Sequence, residues 1–389
     1  MLHRLQYGQV PPKPHTTLYH DQKLAFEHCF TRQGFDGAYA MLYHRQPPHW
    51  IDSQEEIGRH PGWSATESHA RPLRRHFLSG QLVNGGSAFL GRELLLSNAD
   101  LGVWFAVADQ PDPALNCNAD GDELVYVFSG KGQIYTSHGI LDYRAEDYIY
   151  LPRAVLHRWI PAEPTRLLIL EGRSWIDIPA NFRNAAGQLK MDAPYSHRDF
   201  RAPQWSEALA QDQPQTVMVK RHDHLTRQHY HHHPLDILGW DGQLWPFAFP
   251  IRCFQPRTGL VHLPPTVHTT FVGGGFVVCS FVPRMVDFHP QAIPCPYPHS
   301  SVDCDEVLFY VEGNFTSRKG VGPGSLSYHP AGLPHGPHPG TYEASIGSKE
   351  TNEMAVMIDT FKPFLPTVRA TALEDPAYQQ SWVEKGSQA

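Results

Sequence analysis

Several things are scarce in this 389-residue chain, and each scarcity excludes something. Only 18% of residues are charged, with 32 Lys and Arg against 39 Asp and Glu. The net charge is −7 and there is no basic tract, which disfavours a nucleic-acid partner. No stretch approaches the roughly 18 apolar residues that span a bilayer, so no membrane partner is expected. The start Met1-Leu2-His3-Arg4 leads into Pro11-Pro12-Lys13-Pro14 with no apolar run, so no signal peptide is expected. The six cysteines, Cys29, Cys117, Cys253, Cys279, Cys295 and Cys304, form no Cys-x-x-Cys pair. Disulfide frameworks belong to small secreted chains, and this one is large. A soluble protein of the reducing cytoplasm is expected. Gly273-Gly274-Gly275 is followed by no Lys-Ser/Thr pair, so it reads as a turn and not a phosphate loop.

What is abundant points the other way. There are 35 Pro, 31 Gly and 12% aromatic residues, a mixture suited to short strands and turns. The 25 histidines are the compositional anomaly. Residues 1–20 should run extended, Leu24 to Gln33 reads as a short helix stopped by Gly34, and His44 to Ser68 reads as loop. From Leu82 strands are predicted at short intervals around 94–97, 103–107, 124–128, 133–136, 148–151 and 167–170. Residues 174–215 lose the pattern and look like a joint. Strands resume at 216–220, 277–281, 307–311, 325–328 and 354–359, and the tail after Thr367 reads as loop with one helical turn. His229-Tyr230-His231-His232-His233-Pro234 reads as an internal loop at the surface or a subunit contact. Trp240 and Trp245 read as core.

The chain repeats itself. Asp122-Glu123-Leu124-Val125-Tyr126-Val127-Phe128-Ser129-Gly130 is answered by Asp305-Glu306-Val307-Leu308-Phe309-Tyr310-Val311-Glu312-Gly313. Pro152-Arg153-Ala154-Val155-Leu156-His157 is answered by Pro330-Ala331-Gly332-Leu333-Pro334-His335. In the second copy His299, Glu306 and His335 make a set of two imidazoles and one carboxylate. Such a set leaves coordination positions open, as a mononuclear Fe(II) oxygenase site requires, whereas a structural zinc site closes with four ligands. Zinc hydrolysis and manganese chemistry stay open on these ligands alone, and Cys304 could share the inward face.

These motifs resemble the cupin family. Its first motif appears as His299-x-Ser301, four residues, Glu306, six residues, Gly313, with Ser301 in place of the second histidine. Its second appears as Gly324, five residues, Pro330-x-Gly332-x-x-His335. In the first copy Asn116 and Asn118 stand where the histidines would be, and Glu146 and Ala154 replace the motif glycines. That copy reads as structural, with Glu123 and His157 as a buried hydrogen-bonded pair. Leu238-Gly239-Trp240-Asp241-Gly242, Val277 to Arg284, and Tyr328-His329-Pro330 to His338 add a closer resemblance, to the homogentisate 1,2-dioxygenase family. It is strong over about residues 235–360 and looser before them.

The resemblance implies an all-β bicupin of two double-stranded β-helix (jelly-roll) barrels with few short helices. Residues 1–200 would form a metal-free N-terminal domain, and 201–389 a C-terminal domain carrying iron. It implies Fe(II) held by His299, Glu306 and His335, with His329 and Tyr297 against the substrate. It also implies a histidine base in the segment 259–268, either His262 or His268, with His262 preferred. The partners would be an aromatic substrate and O2, the assembly a homo-oligomer, and the reaction ring cleavage that inserts both oxygen atoms. A non-catalytic metal-binding bicupin and a metal-dependent isomerase or hydrolase are the competing readings.

Overall fold

A computed structural model describes residues 2–68, 71–206, 209, 213–315 and 317–382. The chain is built almost wholly of short strands, and its two α-helices, Thr341–Ala344 and Val368–Thr371, are single turns. Among the described residues no helix is long and apolar enough to cross a membrane.

The first copy of the repeat is a sandwich of two sheets. One sheet orders the strands Phe247–Pro250, Asp147–Leu151, Asp122–Ser129, Thr165–Gly172, Leu101–Ala108, Glu93–Ser97 and Leu365–Pro366. The other orders Gly139–Arg144, Lys131–Thr136, His157–Pro161, Leu115–Asn118, Gln215–Arg221, His224–Tyr230 and Ser53–Arg59. Val125, Val127, Ile149, Ile169, Trp104 and Trp159 fill the space between them.

The second copy has one large sheet, ordered Ile176–Asp177, Thr269–Gly273, Phe276–Phe281, Met354–Thr360, Asp305–Glu312, Leu326–His329 and Arg75–Phe77. Opposite it stand only short pairings, the bridge His299–His335 and the pair Arg284–Met285 with Glu350–Thr351. The two large sheets pack back to back. Leu124, Tyr126, Phe105 and Leu168 of the first meet Val307, Phe309, Phe276 and Val356 of the second in one core. Strand Asp305–Glu312 is therefore sandwiched. Side chains alternate along it, so Val307, Phe309 and Val311 enter the shared core while Glu306, Leu308 and Tyr310 face the second copy's interior. Double burial is why this strand reads as a nearly continuous apolar run.

Sheet membership does not divide at residue 200. Strands Gln215–Arg221, His224–Tyr230 and Phe247–Pro250 extend the first copy's sheets, while Arg75–Phe77 and Ile176–Asp177 close the second's. The segment expected as a helix, Leu24 to Gln33, contains strand Phe26–Thr31 paired with Tyr39–His44. Cross-strand pairing overrides the weak helical pattern. Ser53–Arg59, expected as loop, is an edge strand on His224–Tyr230. Trp240 and Trp245 are core, as expected, at 0% and 2% exposure. His229 lies in strand His224–Tyr230, His231 bonds Asp52 at 2.8 Å, and His232 is buried.

The repeat is written in backbone conformation as well as in residue type. Gly130 and Gly313 both end their strands at φ near +90°, and a Cβ at either would meet backbone or side-chain atoms within 2.4 Å. In the second copy Gly324 and Gly332 adopt φ of +80° and +74°. In the first copy Glu146 and Ala154 stand at those places and keep φ of +73° and +65°. The turns have thus survived loss of the glycines that favour them. A left-handed alanine costs roughly 1–2 kcal/mol, partly offset by the greater unfolded freedom of glycine. Ala154→Gly should therefore stabilise the protein by about 0.5–1 kcal/mol, read as a higher denaturation midpoint in urea.

Candidate metal centre

His299 and His335 lie side by side because their backbones exchange two hydrogen bonds, His299 N to His335 O at 2.8 Å and the reverse at 2.9 Å. Their ring centroids are 4.4 Å apart. The sheet brings Glu306 beneath them, with Oε2 at 3.7 Å from His299 Nε2 and Oε1 at 3.7 Å from His335 Nε2. One donor atom from each of the three lies within 4.8 Å of the others, a set that could hold a metal ion. Each imidazole is aimed by its far nitrogen. His299 Nδ1 bonds Tyr297 O at 3.2 Å and His335 Nδ1 bonds Leu333 O at 2.8 Å, which leaves both Nε2 lone pairs pointing inward. His335 Nε2 is buried with no hydrogen-bond partner. An orphaned inward lone pair beside a carboxylate and a second imidazole fits a divalent transition metal.

Burial would push the Glu306 carboxyl up, but the imidazoles of His299, His329 and His335 gathered around it outweigh burial and hold the group well below its usual range. In return Glu306 raises His299 above the ordinary imidazole value. Arg318 Nη2 lies 3.6 Å from Glu306 Oε1.

His329, on the neighbouring strand and in register with Glu306, donates from Nδ1 to Glu306 Oε1 at 2.9 Å. It is fully buried, stacks on His335 at 4.8 Å and does not line the cleft. Its bond to Glu306 sets it directly behind the donor set. Burial pushes its imidazole down to about 4.

A cleft of about 1200 Å³, measured out to its open mouth, leads to Glu306 and His299. Leu263, Phe281, Leu308, Phe315 and Met357 wall it, with His262, His268 and Arg318 as polar points. His262 Nδ1 faces Asp287 Oδ2 at 3.5 Å, its Nε2 has no partner, and its ring meets Tyr297 edge-on at 5.1 Å. Tyr297 stands at the rim, 47% exposed. His268 is buried against Phe281 at 4.5 Å, and burial with the nearby Arg284 pushes it down to about 3. Cys304 Sγ is not in the donor set.

In the first copy a guanidinium meets the corresponding carboxylate. Arg92 Nη1 bonds Glu123 Oε1 at 2.6 Å, with both side chains 1% exposed. Asn118 Nδ2 donates to the same oxygen at 2.6 Å. Burial opposes ionisation of Glu123, but Arg92 and His157 pull its carboxyl down to about 2. The expected Glu123–His157 pair is thus replaced by a guanidinium, and His157 bonds Val155 O instead. A second acidic group, Asp120, Glu171 and Asp223, is already filled by Lys220 Nζ at 2.6, 2.8 and 2.9 Å.

Sequence reasoning passed over Asp305 and Tyr328. Asp305 accepts from Ala331 N at 2.7 Å, Phe364 N at 2.7 Å and Tyr328 OH at 2.8 Å, pinning the loop that carries His335. Asp122 and Tyr150 do the same in the first copy, with Asp122 accepting from Tyr150 OH, Arg153 N and Ile176 N. The repeat itself carried this signal, since Asp precedes Glu, and Tyr stands two before Pro, in both copies.

Removing Glu306 leaves two imidazoles, too few to hold a metal firmly. Glu306→Ala should reduce metal content from one ion per chain to none after dialysis, measured by elemental analysis. Glu123→Ala should not change it.

Residues 81–251 match the N-terminal family of homogentisate 1,2-dioxygenase. A protein of Saccharolobus solfataricus that carries the provisional name of a dioxygenase is 35% identical over 379 residues, covering 96% of this chain and 97% of its own. Homogentisate 1,2-dioxygenases of Bradyrhizobium diazoefficiens and of rice, Oryza sativa subsp. japonica, are 27% and 26% identical over 68% and 72% of this chain. The matched region spans only 62% of each of those two enzymes. Among solved structures, a cupin 2 conserved barrel domain protein from Leptotrichia buccalis superposes loosely, with 11% identity, a TM-score of 0.36, and coverage of 75% of this chain and 99% of its own. Near-complete coverage of the Saccharolobus relative and the matched N-terminal region meet on one twice-repeated β fold, and the chain belongs to the homogentisate 1,2-dioxygenase family.

Proposed function

We propose that the protein is an Fe(II)-dependent ring-cleaving dioxygenase acting on homogentisate or a close hydroquinone-type aromatic acid. Both atoms of O2 enter the product, which is of the maleylacetoacetate type. The observation that carries this reading is a three-donor set, His299, Glu306 and His335, open on one side to a largely apolar cleft of ring-accommodating size. The six free cysteines suit a reducing compartment. When bound, Fe(II) supplies Lewis acidity toward a phenolic oxygen and an electron source for O2.

The protein's own groups do the rest. Leu308, Phe315 and Met357 bury the ring and exclude water. A hydroquinone hydroxyl is a weak acid, so its proton needs an acceptor as the oxygen binds. Asp287 faces His262 Nδ1 and favours the proton there, which leaves Nε2 as the lone pair offered to substrate. His268 is the poorer base, because burial has already driven its affinity for a proton far down. Tyr297, edge-on to His262 and half exposed, is the aromatic side chain that this reading sets beside the substrate.

Oxygen uptake by anaerobically iron-loaded protein, screened against homogentisate, gentisate and related diols, tests the function. Uptake of one O2 per ring consumed supports it. Turnover only with zinc or manganese and no O2 uptake would replace it with an isomerase or hydrolase. His262→Ala should keep iron, since His262 is outside the donor set, and should lower single-turnover rates by roughly 10²–10⁴. His268→Ala should cost far less, and the reverse order would move the base to His268.

A further inference from the structure

The tail that follows the last sheet strand runs behind the donor set, and none of the described residues 374–382 lines the cleft. It is anchored on the edge strand Arg75–Phe77. Asp375 N donates to His76 O at 2.8 Å, Arg75 Nε donates to Glu374 at 2.9 Å, and the Tyr378 ring lies 5.1 Å from the His76 ring. Trp382 stacks on His338 at 4.0 Å, with Arg318 and Arg74 over its ring. This packing delivers one polar atom to the centre. Tyr378, 2% exposed, sets its hydroxyl 3.5 Å from His329 Nε2.

The direction of those bonds follows from the partners. An ionised carboxylate only accepts, so His329 must carry its proton on Nδ1 to bond Glu306 at 2.9 Å. The neutral ring then offers a lone pair at Nε2, and the phenolic hydroxyl of Tyr378 is its donor. We infer that Tyr378 is a positioning residue: through His329 it holds Glu306 Oε1, leaving Oε2 free beside His299 Nε2 to meet the ion. This inference rests on reading the donor set as a metal site. A second observation supports it. In the first copy, where Arg92 bonds the carboxylate, the residue in register with Glu123 is Leu151, an apolar side chain at the place of His329. The imidazole relay occurs only in the copy whose carboxylate lacks a guanidinium at 2.6 Å.

Without the hydroxyl, the buried Nε2 lone pair loses its donor, the preference for the proton on Nδ1 shrinks to what Glu306 alone supplies, and the bond that fixes Glu306 weakens. Tyr378→Phe removes the hydroxyl while keeping the ring against His76, His338 and Trp382. Fe(II) affinity, measured by competition with a chelator, should fall by roughly 10–100-fold, the usual cost of losing a partner that orients a ligand. KM for the aromatic should hold while kcat falls. Nitrogen-15 spectra of histidine in metal-free and zinc-loaded protein should show His329 pass from one tautomer to a mixture. Ser381→Ala removes both the contact of Ser381 Oγ with His338 Nε2 at 2.9 Å and its donation to the Tyr378 carbonyl at 2.5 Å, and so loosens the tail while leaving the Tyr378 hydroxyl itself in place. It should leave Fe(II) affinity within about twofold of wild type, far less than the loss of an orienting partner. Unchanged affinity and tautomer in Tyr378→Phe, or an equal loss in Ser381→Ala, would overturn the inference. Failure of the wild type to take up any divalent metal would instead bring down the function proposed above, and the metal-free tautomer would still report on Tyr378.

Discussion

A carboxylate as buried as Glu306 stays ionised only where donors replace the water it has lost. Here three imidazoles and the Arg318 guanidinium surround it, and they arrive on three different elements. His329 comes from the neighbouring strand, His299 and His335 from a two-residue bridge, and Arg318 from the loop after Gly313. The site is thus a solution to one charge problem before it is anything else. The first copy confirms how strict the problem is, since losing the histidines at 116 and 118 is accompanied by a buried Arg92 on Glu123.

Position follows from the strand that carries Glu306. Its outer face is fixed by Val307 and Phe309 in the core shared with the first copy, so its inner face cannot drift. A register slip of one residue would send Glu306 into that core and Val307 into the cleft. The first copy therefore acts as the bed on which the second copy's site is held. The strands exchanged between them, Arg75–Phe77 one way and Gln215–Arg221 the other, tie the two together across the sequence. Among the described residues the second copy has no full outer sheet, only the bridge His299–His335 and one short pair, and the cleft opens there.

The repeat, the donor triad and the all-strand character were legible because each rests on local pattern. Glu-x6-Gly marks a strand that must end in a left-handed turn, and Pro-x-Gly-x-x-His marks the loop that returns the second imidazole. What stayed hidden depends on partners distant in sequence. Arg318, Tyr378 and Trp382 look like ordinary surface or tail residues until the tail folds back onto strand Arg75–Phe77. Phe26–Thr31 looks helical until Tyr39–His44 lies beside it. Glu146 and Ala154 read as lost motif positions, yet their backbones keep the glycine conformation, because the surrounding turns over-determine φ. His329 was legible as part of the site but not in its direction, which only the strand register reveals.

Charge also separates the two copies in what they can attract. Arg92 and Glu123 cancel, and their pocket is closed. Under the proposed reading, two neutral imidazoles, one carboxylate and a divalent ion leave an excess positive charge, and Arg318 adds to it within 3.6 Å of Glu306. An apolar cleft that ends in net positive charge favours a flat ring bearing an anionic oxygen over a neutral one. That preference operates only if the hydroxyl proton has somewhere to go. Under the same reading, that place is the free Nε2 of His262, on the cleft wall with Asp287 behind it.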